Sequence, residues 1–197
     1  MKKKLFVLLF AFLLPFSMMG QKVGVKTNLL HWATVTPNLS LEVALGKNVT
    51  MDLYGAYNNF QIMKDNVKWK HWLVQPEVRI WTCESFNGFF FGIHGMTGQF
   101  NMGKLKLPPI AYTFQNNILE NLPTRRYEGW YAGAGISVGY QWVLGNHWNI
   151  ELSLGAGYNH IWYREFEGQR CGPKLSEGES NYIGPTKATL SFVYFFK

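Results

Sequence analysis

The chain has 197 residues, enough for one domain, of which 47% are hydrophobic, 17% aromatic and only 16% charged; soluble domains run near 25% charged. With a mean hydropathy of −0.10 and no run of 18 apolar residues past the leader, a bundle of transmembrane helices is excluded. The formal net charge of +7 includes Lys2, Lys3 and Lys4; without them 16 basic residues face 12 acidic ones. They form no basic face interleaved with stacking aromatics, so nucleic-acid binding is not expected.

Residues 1–20 read as a secretory signal peptide: three lysines, an apolar core from Leu5 to Leu14, and small residues at Ser17 and Gly20. Cleavage after Gly20 is expected, and with no cysteine near the site a lipoprotein anchor is not. The remaining 21–197 form one domain, and if they enter a membrane they do so as strands.

In chain order, Val23, Val25, Thr27 and Leu29 alternate with Gly24, Lys26, Asn28 and Leu30, which predicts a first strand ending near His31-Trp32. A second strand, 38–46, sends Leu39, Leu41, Val43 and Leu45 to one face and Ser40, Glu42 and Ala44 to the other. Gly46-Lys47-Asn48 supplies a tight turn. The third strand faces Met51, Leu53 and Tyr57 outward and Thr50, Asp52 and Tyr54 inward. The fourth, 69–82, opposes Trp72, Val74, Val78 and Ile80 to Gln75, Glu77, Arg79 and Trp81, and Pro76 within it suggests a bulge. The fifth, 89–101, places Phe89, Phe91 and Ile93 outside and His94 inside. A long connection, 102–129, carries one helical piece, Thr113 to Leu122, with Phe114, Ile118, Leu119 and Leu122 on one face.

The most regular stretch is the hairpin from Trp130 to Trp162. Ala132, Ala134, Ile136, Val138, Tyr140 and Trp142 alternate with Gly and polar residues, and after the Leu144-Gly145-Asn146-His147 turn Trp148, Ile150, Leu152 and Leu154 alternate with Asn149, Glu151 and Ser153. A polar loop is expected over 164–184, mobile and exposed from Gly168 to Ser180, and a last strand over 185–196. The fold predicted is an all-β, eight-stranded antiparallel transmembrane up-and-down β-barrel of the outer-membrane type. Short turns after even strands and longer connections after most odd ones place both termini on the periplasmic side. Trp81, Trp142 and Trp148 are expected at the short-turn girdle, and Trp32, Trp69, Trp72, Trp130 and Trp162 at the other. The competing reading is a soluble β-sandwich with ordinary core aromatics.

The inward faces carry Lys26, Glu42, Asp52, Gln75, Glu77, Arg79, His94, Glu151 and Lys187. Charges in a narrow lumen must pair, because an unpaired buried ion costs several kcal/mol, so this set reads first as a structural network and second as an ion path or carboxylate site. An open pore is not expected at eight strands. No catalytic residue is assigned: His160 has no serine on its face, Ser176, Ser180, Glu177 and Glu179 fall in the polar loop, and His31 and His71 read as rim histidines. No metal-ligand spacing occurs, and no metal or cofactor is expected. The Gly133-Ala134-Gly135 and Gly155-Ala156-Gly157 runs lack a following helix, so they are not phosphate loops; they leave room for side chains crossing the lumen. Cys83 and Cys171 are expected at opposite barrel ends, too far apart to bridge.

The start KTNLL, the turn GKN and the strand GWYAGAGISVGYQW resemble a domain-of-unknown-function family of small outer-membrane barrels from anaerobic gut-type bacteria, often encoded near fimbrial assembly genes. Phe192, Tyr194 and Phe196 resemble the terminal signal read by the outer-membrane insertion machinery, with Lys197 a departure. The resemblance implies no catalytic residues. The expected role is a non-catalytic outer-membrane barrel for envelope structure, surface adhesion or fimbria-related assembly, with membrane lipid, the insertion machinery and fimbrial or other surface proteins as partners. The alternatives are a lipid-modifying barrel enzyme and a soluble lipocalin-like carrier with its faces reversed.

Overall fold

The computed structural model describes residues 22–59, 67–105, 118, 121–168 and 172–196. The expected leader, most of the helical piece at 113–122, Cys171 and Lys197 lie outside the described residues. Eight strands are present: β1 (Val23–Asn28), β2 (Asn38–Ala44), β3 (Val49–Asn58), β4 (Lys68–Trp81), β5 (Gly88–Gly103), β6 (Arg125–Val143), β7 (Trp148–Glu167) and β8 (Lys174–Phe196), with a short helix α1 (Leu29–Ala33) after β1. Each strand pairs antiparallel with its chain neighbour, and β8 returns to β1 from Val23↔Phe196 to Asn28↔Ser191, closing the sheet into a barrel. No helix among the described residues is long and apolar enough to cross a membrane.

Period-two patterning decides the two faces. Ile93 and Ile136, each 68% exposed, point outward, whereas Glu42 and Thr50 are fully enclosed. The consecutive Phe89, Phe90 and Phe91 split as the alternation demands, with Phe90 inside.

The structure departs from the sequence expectations at four places. The first strand stops at Asn28, short of His31-Trp32, because the Asn28 side chain accepts the Leu30 amide at 3.1 Å and caps α1. The expected loop 164–184 is strand: β7 and β8 run paired up to Phe166↔Lys174. Their upper halves have polar residues on both faces, so they lack the apolar alternation that marks a strand in sequence, while the backbone ladder continues regardless. For the same reason β6 begins at Arg125, inside the expected 102–129 connection. Finally, Pro76 makes no bulge; pairing to β5 lapses at Gln75-Pro76 with the register unchanged on either side. The irregularities lie between β7 and β8, at Gly155/Ala156 opposite Pro185 and at Glu165/Phe166.

Candidate functional site: a sealed lumen beneath a projecting sheet

Three layers fill the barrel. At the short-turn end Phe86 sits in the 82–87 turn at φ +70 and points into the mouth, its carbonyl accepting Asn149 Nδ2 at 3.0 Å. It packs with Trp81, Phe90 and Phe195, ring centroids 4.8–6.0 Å apart. Trp81 therefore does not join an outward girdle. It is an inward cork whose indole donates to Thr50 Oγ1 at 2.9 Å, as its parity with Glu77 and Arg79 requires.

Above the cork, strand register sets three carboxylates side by side: Glu42 faces Asp52, and Asp52 faces Glu77. Like charges at adjacent positions repel, so cations must reach them. Lys26 Nζ lies 2.7 Å from Glu42, 3.2 Å from Asp52 and 3.3 Å from Glu151. Arg79 spends its planar fork on all four acids, with Nε to Glu77 at 2.8 Å, Nη1 to Glu42 at 3.0 Å and Nη2 to Asp52 at 3.0 Å, and it clasps Glu151 with both amino groups. Lys187 binds Glu77. Ser40, Thr50 and Ser137 donate to Asp52, Glu42 and Glu77. Arg79 also lies 4.4 Å over the Phe90 ring, joining this layer to the cork.

The nine lumen residues singled out in the sequence are thus all placed inside. Seven form one ionic network; His94 instead contacts Thr186 Oγ1 at 2.9 Å, and Gln75 is buried beside them with its Nε2 unpartnered among the described residues. The opposite wall is reduced to glycine to make room. A Cβ on Gly135 would stand 2.7 Å from His94 Nε2, and one on Gly139 would stand 2.4 Å from the Phe90 ring. The void left between Lys26, Asp52, Tyr54 and Arg79 is about 10 Å³, room for about one water.

The third layer lies toward the other end on the inner face of β5–β7: Ile118, Leu122 and Tyr127 are buried together against Phe100, Ile161 and Tyr163. His31 bonds Tyr54, and Trp69 turns its ring edge-on to His71.

At this end β4 to β8 outrun β1 to β3 and project as a sheet. Two register rows cross it. Trp72, Gln99, Trp130, Trp162 and Glu179 form one; Trp72 donates to Gln99 at 3.1 Å, and Trp130 and Trp162 stack 4.0 Å apart. Lys70, Asn101, Glu128, Arg164 and Glu177 form the next, with Arg164 2.9 Å from Glu128. A cleft of about 870 Å³ follows these rows. Trp32 stands apart from them on α1, bonded to Thr27 at 2.7 Å, while Trp142 and Trp148 face outward near the short turns.

Glu165, on the other side of the projecting sheet, takes bonds from Arg125, from Tyr127 at 3.1 Å and from Ser176 at 2.7 Å. Desolvation raises its pKa, but these donors outweigh it and hold the carboxyl below its usual range. Burial, then the bond to Glu165, pushes the Tyr127 phenol up to about 12. His160 contacts Glu179 at 3.2 Å, Asn181 at 2.8 Å and Tyr158 at 3.5 Å. An imidazole with an acid is present, but its partners here are an amide and a phenol, and Ser176 is turned to Glu165 on the other face. Reading 164–184 as a loop hid this cluster. Among the described residues no group of three His, Cys, Asp or Glu can hold a metal, and Cys83 is exposed in the 82–87 turn with a free thiol.

The sequence profile of one family of proteins of unknown function, DUF3575, matches residues 5–196. The chain belongs to the DUF3575 family. No functionally curated protein matches it. In this DUF3575 barrel the resemblance carried by KTNLL, GKN and GWYAGAGISVGYQW falls on structural positions: β1, a short turn, and the glycine wall of β6.

Proposed function

We propose that this DUF3575 protein is a non-catalytic outer-membrane β-barrel that is sealed to solutes and displays its projecting sheet on the outer side, where it serves envelope structure, adhesion or fimbria-related assembly. The observation that carries this reading is the inversion of polarity: seven charged side chains meet inside, while leucine, isoleucine and phenylalanine cover the outside. In water such an apolar belt would far exceed the few hundred Å² that soluble monomers expose. Lipid removes that cost.

Two further features agree. Trp130 and Trp142 bound the apolar part of β6 twelve residues apart, which at a rise of 3.3 Å per residue and a tilt near 40° spans about 30 Å along the barrel axis, close to a hydrocarbon core. Near the short turns Phe89, Tyr140 and Trp142, and Trp148, Tyr194 and Phe196, make outward aromatic chains with centroids 4.8–5.2 Å apart, the placement an interfacial girdle takes. Phe192, Tyr194 and Phe196 lie outward on β8 beside the closing β1 pairing, where an insertion machinery would read them. A charged lumen disfavours a carried lipid, and among the described residues His160 is bonded to an acid, an amide and a phenol and to no serine or cysteine.

The deciding experiment is outer-membrane fractionation of the full chain, with the extracted protein run on gels before and after boiling. A folded band that shifts on boiling, recovered with the outer membrane, is expected. Recovery as a soluble protein without a shift would overturn the proposal.

A further inference from the structure

Among the described residues the projecting sheet ends on an open strand. β8 pairs with β1 only over Ser191–Phe196, and Asn28, the last residue of β1 and the cap of α1, holds the next stretch, its Nδ2 donating to the Ala188 carbonyl at 3.2 Å. Over Lys174–Glu179 β8 pairs with β7 and with no other strand among the described residues. Its polarity can be read from the ends. The Phe195 amide donates toward β7, to His147 O at 2.9 Å, and the Leu190 amide donates toward β1, to Asn28 Oδ1 at 3.1 Å. Odd residues of lower β8 therefore bond β7, and even residues face β1. The bulge opposite Ala156 shifts β8 by one residue, so above it the parity reverses. Ser176 and Gly178 then bond β7, and the backbone N–H and C=O groups of Glu177 and Glu179 face the open side, up to the second irregularity at Leu175.

Unpaired ladder groups of this kind template another strand. The side chains on the same residues define the partner. Glu177 and Glu179 stand on one face with side chains 68% and 63% exposed, paired among the described residues with Lys174 and His160, and such exposed pairs contribute little. Arg164, the nearest further cation on that face, is engaged by Glu128. A strand laid along this edge meets two carboxylates directly opposite alternate positions, where opposite charges stabilise the pair and like charges destabilise it.

We propose that the Lys174–Glu179 edge of β8 binds an extended polypeptide segment with basic residues at alternate positions, by adding it as a further strand to the projecting sheet. This deepens the proposed display role and rests on it for location, but the edge can be tested apart from the membrane. The probe is a synthetic heptapeptide alternating lysine with valine and threonine, added to the full chain in detergent micelles. Its controls are the same peptide with glutamate for lysine and the same peptide N-methylated throughout, which keeps the charge but cannot donate.

We expect the lysine peptide to bind and to slow hydrogen exchange at Glu177 and Glu179 while leaving Ser176 and Gly178, already bonded to β7, unchanged. Glu177→Pro, which removes an N–H that β7 does not use, is expected to weaken binding at least tenfold while the shift on boiling persists. Glu177→Lys with Glu179→Lys is expected to reverse the preference to the glutamate peptide. Equal binding of the N-methylated peptide, saturation without added protection at the Glu177 and Glu179 amides, or no binding at millimolar peptide would each overturn strand addition. Failure of the membrane proposal would appear in the fractionation and not here.

Discussion

Arg79 on β4 grips Glu151 on β7 from across the lumen, Nη1 to Oε2 at 2.8 Å and Nη2 to Oε1 at 3.1 Å. β4 and β7 are not neighbours in the sheet, so this fork ties together strands that the hydrogen-bond ladder does not join. It also stands between Glu42, Asp52 and Glu77, which register alone would leave as an uncompensated rank of carboxylates.

Arg79→Gln is therefore expected to destabilise the barrel by about 3–5 kcal/mol, the usual result of stranding a buried ion's partners. Three cations serve four acids in the network, so Glu151→Gln on the Arg79→Gln background leaves two cations for three acids and should recover part of the loss. Urea unfolding in micelles measures both. A single-variant cost under about 1 kcal/mol would mean that the network is hydrated and loosely held.

The glycine wall makes a second, sterically based contrast. Gly139→Ala puts a methyl 2.4 Å from the enclosed Phe90 ring and 2.8 Å from the Leu152 carbonyl, and overpacking of that kind costs about 1–3 kcal/mol. At Gly55 the nearest atom to an added Cβ is 3.9 Å away, so Gly55→Ala should change stability by no more than about 0.5 kcal/mol. The same unfolding assay compares the two.

Tryptophan quenching separates cork from girdle. In bilayers containing brominated lipid, single-tryptophan variants retaining Trp142 or Trp148 should be strongly quenched, and one retaining Trp81 should not, since Trp81 is enclosed and bonded to Thr50. Equal quenching at all three would contradict the direction in which Trp81 points.

Acid should loosen the projecting sheet before the barrel. The Glu165 carboxyl is held below its unfolded value, so its contribution is complete above about pH 4.5 and is lost as pH falls through the depressed folded value. Limited proteolysis of upper β8 should therefore quicken as pH drops from 6 to 3 while the shift on boiling persists. Glu165→Gln should be cleaved faster already at pH 6 and lose most of that pH dependence. An unchanged profile in this variant would assign the effect to other groups.

Much of the architecture could be read from the chain. Where one face is apolar and the other lines the lumen, the period of two is written into the residues, and the lumen set from Lys26 to Lys187 follows from parity without any coordinates. The pattern fails where that asymmetry ends. Upper β8 is polar on both faces and upper β7 mixes aromatic and polar residues on both, so nothing in Arg164 to Gly184 distinguishes strand from loop, although the ladder is continuous. Trp81 shows the converse error: a tryptophan near a strand end suggests a girdle, but its parity with Arg79 turns it inward.

What the sequence by itself determined is the strand count, the two faces and the identity of the lumen charges, because these depend only on alternation along one strand. What only the tertiary structure decided is who meets whom: Arg79 with Glu151, Phe90 against the Gly139 gap, and an open β8 edge bearing Glu177 and Glu179. Those relations depend on register, barrel closure and a single bulged residue opposite Ala156. A shift of one position reverses which backbone groups face outward, and local residue pattern carries no record of it.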